Sequence, residues 1–497
     1  MQNIYMDTRV LDRIIRERCS LSEDCMMENA AAALEAAVLP QLRNTAGACL
    51  YRPALLVLAG SGNNGADGYA LARRLHSKAL SVAVCSVLEA KSPLCILQKT
   101  RAEKLGVRIF PLYELDRYLE ETSIDVKVIA DCIFGSGFHG TLPPEAEAAI
   151  QAVAGEQAYR IACDIPSGLD ALGNCTSCFM ADETVTMGAL KLALYSDVAK
   201  DACGTVRLAD LGVSRTAFEQ GDGTIRPAAM LLGKEDLRLP HRGTQNVHKG
   251  SFGHLAVVQG EKAGAAVLAA EAALHFGAGL VTLVQREHAR RDVPWELMAA
   301  TDFPEHTSAV AAGMGLGKTE LRTTFFDYLV SRPALPAVLD ADVFYMPELA
   351  DLLGKRARGL VLTPHPKEFA SLLAICGMGQ FSVAEARERK RELVRLFCSR
   401  YPDTVLLLKG ANVLIAQGGA LYINTLGCNA LAKGGSGDVL SGLIAALLAQ
   451  GYGALDAACN ASLAHAVASS SCGTADYALT PRALIEAVSA AGSRHEN

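Results

Sequence analysis

The chain has 497 residues, which is too many for one ordinary core and predicts two or three domains. Half of the residues are apolar, as in a soluble globular protein, and the formal charge of −6 gives no indication of a nucleic-acid-binding surface. The first twenty residues are rich in charge, and no uncharged apolar run reaches the roughly 18 residues that span a membrane. The fifteen cysteines are interpreted as scattered single thiols without paired spacings. These features favour a cytoplasmic protein that binds neither nucleic acid nor membrane.

Short apolar strands alternate with helical patterns along the chain, which predicts α/β architecture with parallel sheets covered by helices on both faces. Strands are predicted in a first series at 54–59, 81–87, 126–130 and 160–164, and in a second series at 255–259, 280–284, 337–340, 360–363 and 405–409. Between the two series the periodicity weakens and Gly and Pro accumulate. We therefore expect domains at 1–215 and 236–497, joined by a linker at 216–235.

A glycine-rich turn, residues 60–68, follows the first strand and precedes a helix predicted to begin near Tyr69. Its four glycines let backbone amides approach a ligand at the end of a parallel strand, where open α/β sheets bind their ligands. The oxygen atoms of Asn63, Asn64 and Asp67 suit a polar ligand or a hard monovalent cation. The alternative interpretation is a tight turn with capping asparagines.

Two further strand ends point to the same edge of the sheet. Asp131 leads into a second glycine turn, and Asp164 opens the segment Asp164-Ile165-Pro166-Ser167-Gly168. A single Asp in such a position is commonly a helix cap, but two carboxylates and Ser167 at neighbouring strand ends indicate one shared crevice.

The motifs at 62–68, 131–137 and 164–170 together resemble the YjeF N-terminal family, the NAD(P)H-hydrate epimerases. The resemblance implies a Rossmann-like three-layer αβα fold, and a potassium ion held by Asn64, Asp131 and Ser167. It implies that the hydrate is bound by Asn63, Asn64, Gly65, Ala66, Asp67, Gly135, Ser136, Gly137, Phe138, His139, Gly140, Thr141 and Asp164. Asp164 is the candidate acid–base group for inversion at C6 of the hydrated nicotinamide ring. Ala66 stands where the family usually has glycine, and we expect altered packing there, provided that the residue does not need a positive φ.

The most informative segment of the second half is Gly434-Gly435-Ser436-Gly437-Asp438, which opens a long apolar helix. Free amides and the helix dipole converge there and suit a transferring phosphoryl group. Asp438 is placed to accept a proton from a hydroxyl that attacks the phosphate. The alternative is a glycine-rich turn whose Asp merely favours the dipole. Lys409 ends a strand upstream, and His365 lies between two prolines that hold it rigidly.

These residues, with Gly313-x-Gly315-Leu316-Gly317 and Asp340-Ala341-Asp342, resemble the YjeF C-terminal family, the NAD(P)H-hydrate dehydratases of the ribokinase-like superfamily. The resemblance implies a ribokinase-like αβα fold and a reaction in which ADP or ATP, with Mg²⁺, drives dehydration of the S-hydrate. Asp438 would be catalytic. The hydrate would contact Ala265, Gly315, His365 and Asp438, and the nucleotide would contact Lys409, Gly410, Ala411, Asn412, Val413 and Gly437.

The two resemblances predict a bifunctional repair enzyme that acts on NADHX and NADPHX and forms a homo-oligomer. Two alternatives remain open at this stage. One is a ribokinase-like small-molecule kinase fused to a ligand-binding domain, and the other is a nucleotide-sensing module without catalytic activity.

Overall fold

A computed structural model describes residues 1–43, 52–121, 124–220, 223–285, 293–317, 321–355 and 358–490. The chain forms two compact units, one of Asn3–Ala229 and one of Met230–Asn497 together with Met1–Gln2. Among the described residues no helix is both long enough and apolar enough to cross a membrane. The predicted domain limits, 1–215 and 236–497, remain predictions.

The first unit contains nine described strands and eight described helices. Its strands are β1 Gln2–Tyr5, β2 Arg52–Ala59, β3 Ser81–Ser86, β4 Arg108–Pro111, β5 Ile124–Cys132, β6 Tyr159–Cys163, β7 Glu183–Met187, β8 Leu190–Lys191 and β9 Thr205–Ala209. Its helices are α1 Arg9–Cys19, α2 Glu23–Arg43, α3 Asn63–His76, α4 Pro93–Lys104, α5 Leu115–Leu119, α6 Pro144–Ala152, α7 Ala199–Ala202 and α8 Arg215–Gln220.

Seven of these strands form a parallel sheet in the order β4-β3-β2-β5-β6-β7-β9. Alternate residues of β2 point to opposite faces of the sheet. Leu55 and Val57 pack in the core beneath α2 and α3, whereas Leu56 and Leu58 pack in the core beneath α5 and α6. The predicted three-layer α/β architecture is therefore confirmed for this unit.

Helix α3 begins at Asn63, so the expected start near Tyr69 is wrong. The glycine-rich turn itself supplies the first helical turn, because Gly62 is the N-terminal cap and Gly65 already lies in the helix. Gly65 packs so closely that a Cβ atom there would lie 2.0 Å from the Gly60 carbonyl oxygen. Ala66 is fully buried in the helix and has no positive φ. Alanine in place of the family's glycine therefore causes no backbone strain at this position.

The second unit contains ten described strands and nine described helices. Its strands are β10 Ala229–Leu232, β11 His254–Val258, β12 Leu280–Val284, β13 Met298–Ala300, β14 Ala309–Ala312, β15 Ala337–Leu339, β16 Leu360–Leu362, β17 Val405–Leu408, β18 Val413–Gln417 and β19 Ala420–Asn424. Its helices are α9 Ala263–His275, α10 Leu321–Val330, α11 Glu348–Lys355, α12 Pro366–Ile375, α13 Val383–Glu388, α14 Lys390–Arg400, α15 Ser436–Ala449, α16 Ala454–Ser471 and α17 Pro481–Ala490.

These strands follow the order β13-β12-β11-β14-β15-β16-β17-β18-β19-β10, and all neighbours are parallel except β17–β18 and β18–β19. Val257 and Leu407 pack on one face with α9, α15, α16 and α17. Phe369 of α12 and Phe397 of α14 contact each other edge to face, 6.5 Å between ring centroids, and both are fully buried. The predicted α/β class is confirmed for this unit too.

The segment predicted as a linker, 216–235, contains part of α8 and the strand β10. Strand β10 pairs in parallel with β19, through Met230, Leu231 and Leu232. Its apolar residues are too few to show a clear periodicity, so only pairing with a distant strand defines it.

One expectation about the cysteines is wrong. Cys175 and Cys178 have the spacing C-x-x-C, and their Sγ atoms lie 3.2 Å apart. The described residues contain no group of three or more His, Cys, Asp or Glu side chains that could hold a metal ion.

Candidate active sites

A cavity of about 720 Å³ opens at the carboxyl ends of strands β2, β5 and β6 in the first unit. Most residues predicted to bind the hydrate line it, namely Asn63, Asn64, Asp67, Gly135, Ser136, Gly137, Phe138, His139, Thr141 and Asp164. Gly65, Ala66 and Gly140 do not line it. Helix packing explains Gly65 and Ala66, since both are buried within α3.

Asp131 and Ser167, predicted potassium ligands, lie together beneath this cavity. The Ser167 hydroxyl donates to Asp131 Oδ1 at 2.6 Å, and the Ser167 amide donates to Oδ2 at 2.7 Å. Asp131 has no solvent exposure, and burial raises its pKa to about 6 although hydrogen bonds from Ser167 and Ile133 oppose the rise. The buried Nδ2 of Asn64, the third predicted ligand, has no hydrogen-bond partner in the described chain.

The second glycine turn brings Asn64 and Asp164 to one point. A Cβ atom on Gly135 would lie 3.0 Å from Asp164 Oδ2 and 3.2 Å from Asn64 Oδ1, so glycine leaves room for both side chains. The Ser136 amide donates to Asp164 Oδ2 at 3.0 Å. Asp164 itself has a φ of +69°, an uncommon conformation for a non-glycine residue and one that concentrates at functional sites.

Asp164 is held in a buried ion pair. Lys191 Nζ lies 2.7 Å from Asp164 Oδ1, and both side chains are largely buried. The ammonium also donates to the Met187 carbonyl at 2.8 Å, so it is well satisfied. Burial acts to raise the pKa of Asp164, but Lys191 and the amides of Ser136 and Met187 outweigh burial and hold that pKa below its usual value. Asp164 is therefore ionised at neutral pH.

Lys191 and three residues from the first helix region line the cavity and were absent from the predicted site. They are Thr8, Arg9, Asp12 and Lys191, and the other unpredicted lining residues are Ser61, Gly62, Ile133, Phe134, Pro143 and Met187. The residues Ala181 to Thr186, with Lys191 after them, also resemble the YjeF N-terminal family, and this resemblance could have suggested Lys191. Asp12 has only a weak sequence indication, a single acidic residue in an amphipathic helix whose buried face carries Leu11 and Ile15.

In the second unit, Asp438 lies in the first turn of α15, which Gly435 caps with a φ of +93°. A Cβ atom on Gly435 would lie 2.5 Å from Pro481 Cγ, so the cap requires glycine for two reasons. Burial raises the pKa of Asp438 to about 6, repulsion by Asp340 adds to the rise, and Lys409 opposes it. Asp438 is thus a carboxyl group poised to accept a proton near neutral pH.

Lys409 is anchored beside Asp438 by a second buried carboxylate. Its Nζ lies 2.7 Å from Asp340 Oδ1, and Asp340 Oδ2 accepts a hydrogen bond of 2.7 Å from the Ser441 hydroxyl. A Cβ atom on Gly437 would lie 3.4 Å from Lys409 Nζ. The lysine ammonium therefore faces the glycine-rich start of α15, where a phosphate would be attracted both by the dipole and by the charge.

Four of the residues predicted to bind the nucleotide form the connection between β17 and β18, and Val413 begins β18; the four are Lys409, Gly410, Ala411 and Asn412. Because β17 and β18 are antiparallel, this connection is a hairpin turn at the carboxyl end of β17. The turn therefore lies at the sheet edge where β17 ends. The Lys409 amide donates to the Pro364 carbonyl at 2.9 Å.

The residues predicted to contact the hydrate in the second unit lie in the first turns of α9 and α15, in the loop after β14 and at the cap of α12. Gly315 has a φ of +60°, and a Cβ atom there would lie 3.1 Å from Ala265 Cβ, so these two predicted residues are neighbours. His365 caps α12, with its Nδ1 accepting from the amides of Lys367 and Glu368 at 3.2 Å. Burial and the charge of Lys409 lower the pKa of His365, so the ring is neutral at pH 7.

Three supporting residues were not in the predicted set. Asp340 and Ser441 orient Lys409, and the buried His465 contacts the Ser436 carbonyl at 2.9 Å. Burial lowers the pKa of His465 to about 4, so its neutral ring donates to that carbonyl and steadies the start of α15. Asp340 ends a predicted strand and could have been found, whereas Ser441 lies inside an apolar helix and carries no sequence indication.

Both units match families of known proteins. Residues 23–193 match the family described as YjeF-related protein N-terminus, and residues 255–489 match the family described as NAD(P)H-hydrate dehydratase. A bifunctional NAD(P)H-hydrate repair enzyme of Helicobacter pylori is 44% identical over 98% of this chain and 99% of its own. The chain belongs to the family of bifunctional NAD(P)H-hydrate repair enzymes.

A bifunctional NAD(P)H-hydrate repair enzyme of Moorella thermoacetica is 31% identical, over 89% of this chain and 86% of its own. Among solved structures, an ADP/ATP-dependent NAD(P)H-hydrate dehydratase of Bacillus subtilis, co-crystallised with ATP and Mg²⁺, is 26% identical. It covers 54% of this chain and 98% of its own, with a TM-score of 0.46.

Proposed function

We propose that this chain repairs hydrated NADH and NADPH in two steps, epimerisation in the first unit and nucleotide-driven dehydration in the second. The observation that carries the proposal is Asp438, a carboxyl whose pKa burial raises to about 6, in the first turn of a glycine-capped helix and beside the anchored ammonium of Lys409. A phosphoryl-transfer site needs this combination of proton acceptor and anion hole.

In the first unit the cavity binds the hydrate, and Asp164 is the acid–base group beside C6. Lys191 keeps Asp164 ionised, so Asp164 accepts a proton rather than donating one. The backbone conformation of Asp164 and the amide of Ser136 aim its carboxylate into the cavity. Asn63, Asn64, Asp67 and the turn from Gly135 to Thr141 surround the rest of the hydrate; Gly65, Ala66 and Gly140 would act through the shape of these loops.

A potassium ion in the first unit would be held by Asn64, Asp131 and Ser167. The donor set fits, because it combines carboxylate, hydroxyl and amide oxygens, the ligands of a hard cation. Asp131 is fully buried with neutral hydrogen-bond partners in the described chain, so a cation would compensate its charge. The ion would supply positive charge at the cavity floor, next to the Asn63–Asp67 loop.

In the second unit, Asp438 removes the proton from the C6 hydroxyl of the S-hydrate. The hydroxyl oxygen then attacks the terminal phosphorus of ADP, which releases AMP, or of ATP. The phosphorylated hydrate loses phosphate from C6 and a proton from C5, and the ring double bond is restored. Phosphorylation turns a poor leaving group into a good one, so a kinase scaffold can serve a dehydratase. Ala265, Gly315 and His365 would surround the hydrate.

The nucleotide would lie along the hairpin of Lys409–Val413, with Gly437 close to its phosphates. Lys409 supplies one positive charge, and Mg²⁺ would neutralise further phosphate charge. Since Mg²⁺ is commonly held by substrate phosphates and water, it requires no dedicated cluster of protein carboxylates.

The test is to incubate purified protein with R and S NADPH hydrates, K⁺, Mg²⁺ and ADP or ATP, and to follow the absorbance of regenerated NADPH. We expect the wild type to recover nearly all of the NADPH. We expect Asp164→Ala to convert the S-hydrate normally, and then to recover NADPH only at the slow rate of spontaneous epimerisation. No recovery with either nucleotide, from folded protein that binds ADP, would overturn the proposal. Analytical ultracentrifugation would test the predicted homo-oligomer.

A further inference from the structure

Helix α1 carries one acidic residue that faces the epimerase cavity. Leu11 and Ile15 are fully buried and fix the orientation of the helix. Asp12, next to Leu11, lines the cavity together with Thr8 and Arg9. The exposed Glu17, on the same helix, does not line the cavity. The packing of α1 therefore presents the Asp12 carboxyl to the space that Asp164 and Lys191 also line.

The charged groups around Asp12 come from several elements. They are Asp7 before α1, Arg9, Arg13 and Arg16 on α1, Glu23 at the start of α2, Asp67 on α3, His139 after β5, Asp164 after β6 and Lys191 on β8. Burial raises the pKa of Asp12 to about 6, with Lys191 opposing the rise and Asp164 and Asp7 adding to it. The surroundings thus raise the pKa of Asp12 and lower the pKa of Asp164, which Lys191 keeps ionised.

Inversion at C6 requires one more group than Asp164. C6 of the hydrate is bonded to the hydroxyl oxygen and to the ring nitrogen. For the hydroxyl to leave as water, a proton must be delivered to it, and for water to return on the opposite face, a proton must be taken away. The anionic Asp164 can take a proton but has none to give.

We propose that Asp12 is a second catalytic residue of the epimerase site and donates the proton with which the C6 hydroxyl leaves. This inference rests on the proposed function. The C6–O bond breaks with its electron pair going to oxygen, water departs, and the nitrogen lone pair forms the N1=C6 bond. Water then adds to the other face of C6, the N1=C6 electron pair returns to nitrogen, and Asp164 takes the proton of the added water. Proton exchange with solvent restores Asp12 and Asp164.

Asp67 is the competing proton donor in the same cavity. Burial, with repulsion by Asp164, raises the pKa of Asp67 well above its usual value. A group that holds its proton so tightly is a weaker donor at neutral pH than one whose pKa lies near the working pH. Asp12 is therefore the better match to the task, and Asp67→Asn provides the direct comparison.

The test uses the full chain without added nucleotide, so that only epimerisation runs, and follows pure R-NADPHX turning into the S form by chromatography. Asp12→Asn should lower kcat by about 100-fold or more, the contribution typical of a general acid, while Glu17→Gln should leave it unchanged. Thermal unfolding of each variant checks that it is folded. Asp12→Asn within threefold of wild type, or loss of activity in Asp67→Asn alone, would overturn the assignment.

Two measurements on the unaltered protein complete the test. The epimerase kcat/KM should fall tenfold per pH unit above about pH 6, as Asp12 loses its proton. In water enriched with ¹⁸O, each inversion should place one solvent oxygen on C6, and inversion without label would overturn the leaving-group step. If the unaltered protein does not epimerise the R-hydrate at all, the proposed function fails instead.

Discussion

The two units each place a buried lysine–aspartate pair at the carboxyl edge of a parallel sheet, but they use it differently. In the first unit, Lys191 pairs with Asp164, the proposed catalytic carboxylate, at 2.7 Å. In the second unit, Lys409 pairs at the same distance with Asp340, and the proposed catalytic carboxyl, Asp438, is left outside the pair. In the first unit the lysine thus keeps the proposed catalytic carboxylate itself ionised. In the second unit the lysine pairs with a neighbouring carboxylate instead.

The difference shows in the acidity of the two carboxyls. The pKa of Asp164 is held below its usual value, although burial opposes this, whereas burial raises the pKa of Asp438 to about 6. A base that works near neutral pH is most effective when its pKa lies near that pH. Asp438 can therefore act alone as the base, whereas Asp164 needs a separate proton donor beside it.

The largest effect is expected for Asp438→Asn. It removes the proton acceptor without changing the size of the side chain, so dehydration of S-NADPHX should fall by about 10²–10⁴-fold in kcat, while epimerisation continues at the wild-type rate. NADPH absorbance and chromatography of the two epimers measure these separately. Asp351→Asn, at an exposed position of α11, is the matched control. Equal loss of both activities would contradict the separation of the sites.

Lys191→Met should be the most destabilising change among the paired residues. It leaves the carboxylate of Asp164 buried without its counter-charge, which costs about 3–5 kcal/mol in other buried pairs. Lys409→Met should cost less, because the Lys409 side chain is 22% exposed against 4% for Lys191. Urea unfolding of the two variants measures the difference, and an equal or reversed order would contradict it.

The same ion pair predicts the pH dependence of stability. Since the folded pKa of Asp164 is lowered, its contribution to the free energy of unfolding is present above about pH 4 and is lost as pH falls through the folded pKa. The free energy of unfolding of the wild type, measured from pH 6 down to pH 3, should therefore decrease below about pH 4. Lys191→Met should lose most of this dependence.

The pH profiles of the two activities should diverge. Dehydration depends on ionised Asp438, so kcat/KM should fall tenfold per pH unit below about pH 6. This is opposite to the fall expected for epimerisation above about pH 6. Separate assays with R-NADPHX alone and with S-NADPHX plus nucleotide, between pH 5 and 8, measure both limbs. If both activities changed with pH in the same direction, the assignment of Asp438 as a proton acceptor and Asp12 as a proton donor would be contradicted.

The smallest effects are expected for the removal of single hydroxyl groups, and Ser441→Ala is the larger of two such changes. It removes the hydrogen bond to Asp340 Oδ2 inside the core and leaves that oxygen unsatisfied, which should cost about 1–3 kcal/mol of stability. Thr186→Val in the other unit should cost less, because the contacts of the Thr186 hydroxyl are longer, 3.4 Å to Asp164 Oδ1 and 3.2 Å from Lys191 Nζ. Thermal unfolding compares them, and a larger loss in Thr186→Val would contradict the comparison.

Sequence patterns alone determined the α/β class, the principal parallel strands and the loops that carry Asp131, Asp164 and Asp438. These could be predicted because strand periodicity and glycine-rich turns are local properties of the chain. Local patterns misplaced the start of α3, since Gly65 and Gly68 belong to the helix, and overlooked the strand β10, which is defined by pairing with a strand distant in sequence, β19.

Only the tertiary structure decided the partners of the catalytic groups. Asp12 and Ser441 are ordinary helix residues by sequence. Lys191 and Asp340 lie in recognisable stretches, but the sequence does not show which distant groups the packing brings to them. Proton affinity likewise depends on burial and on neighbouring charge, neither of which has a local sequence pattern. The chain therefore reveals by itself which carboxyls stand at the sheet edges, whereas the fold decides which of them hold a proton.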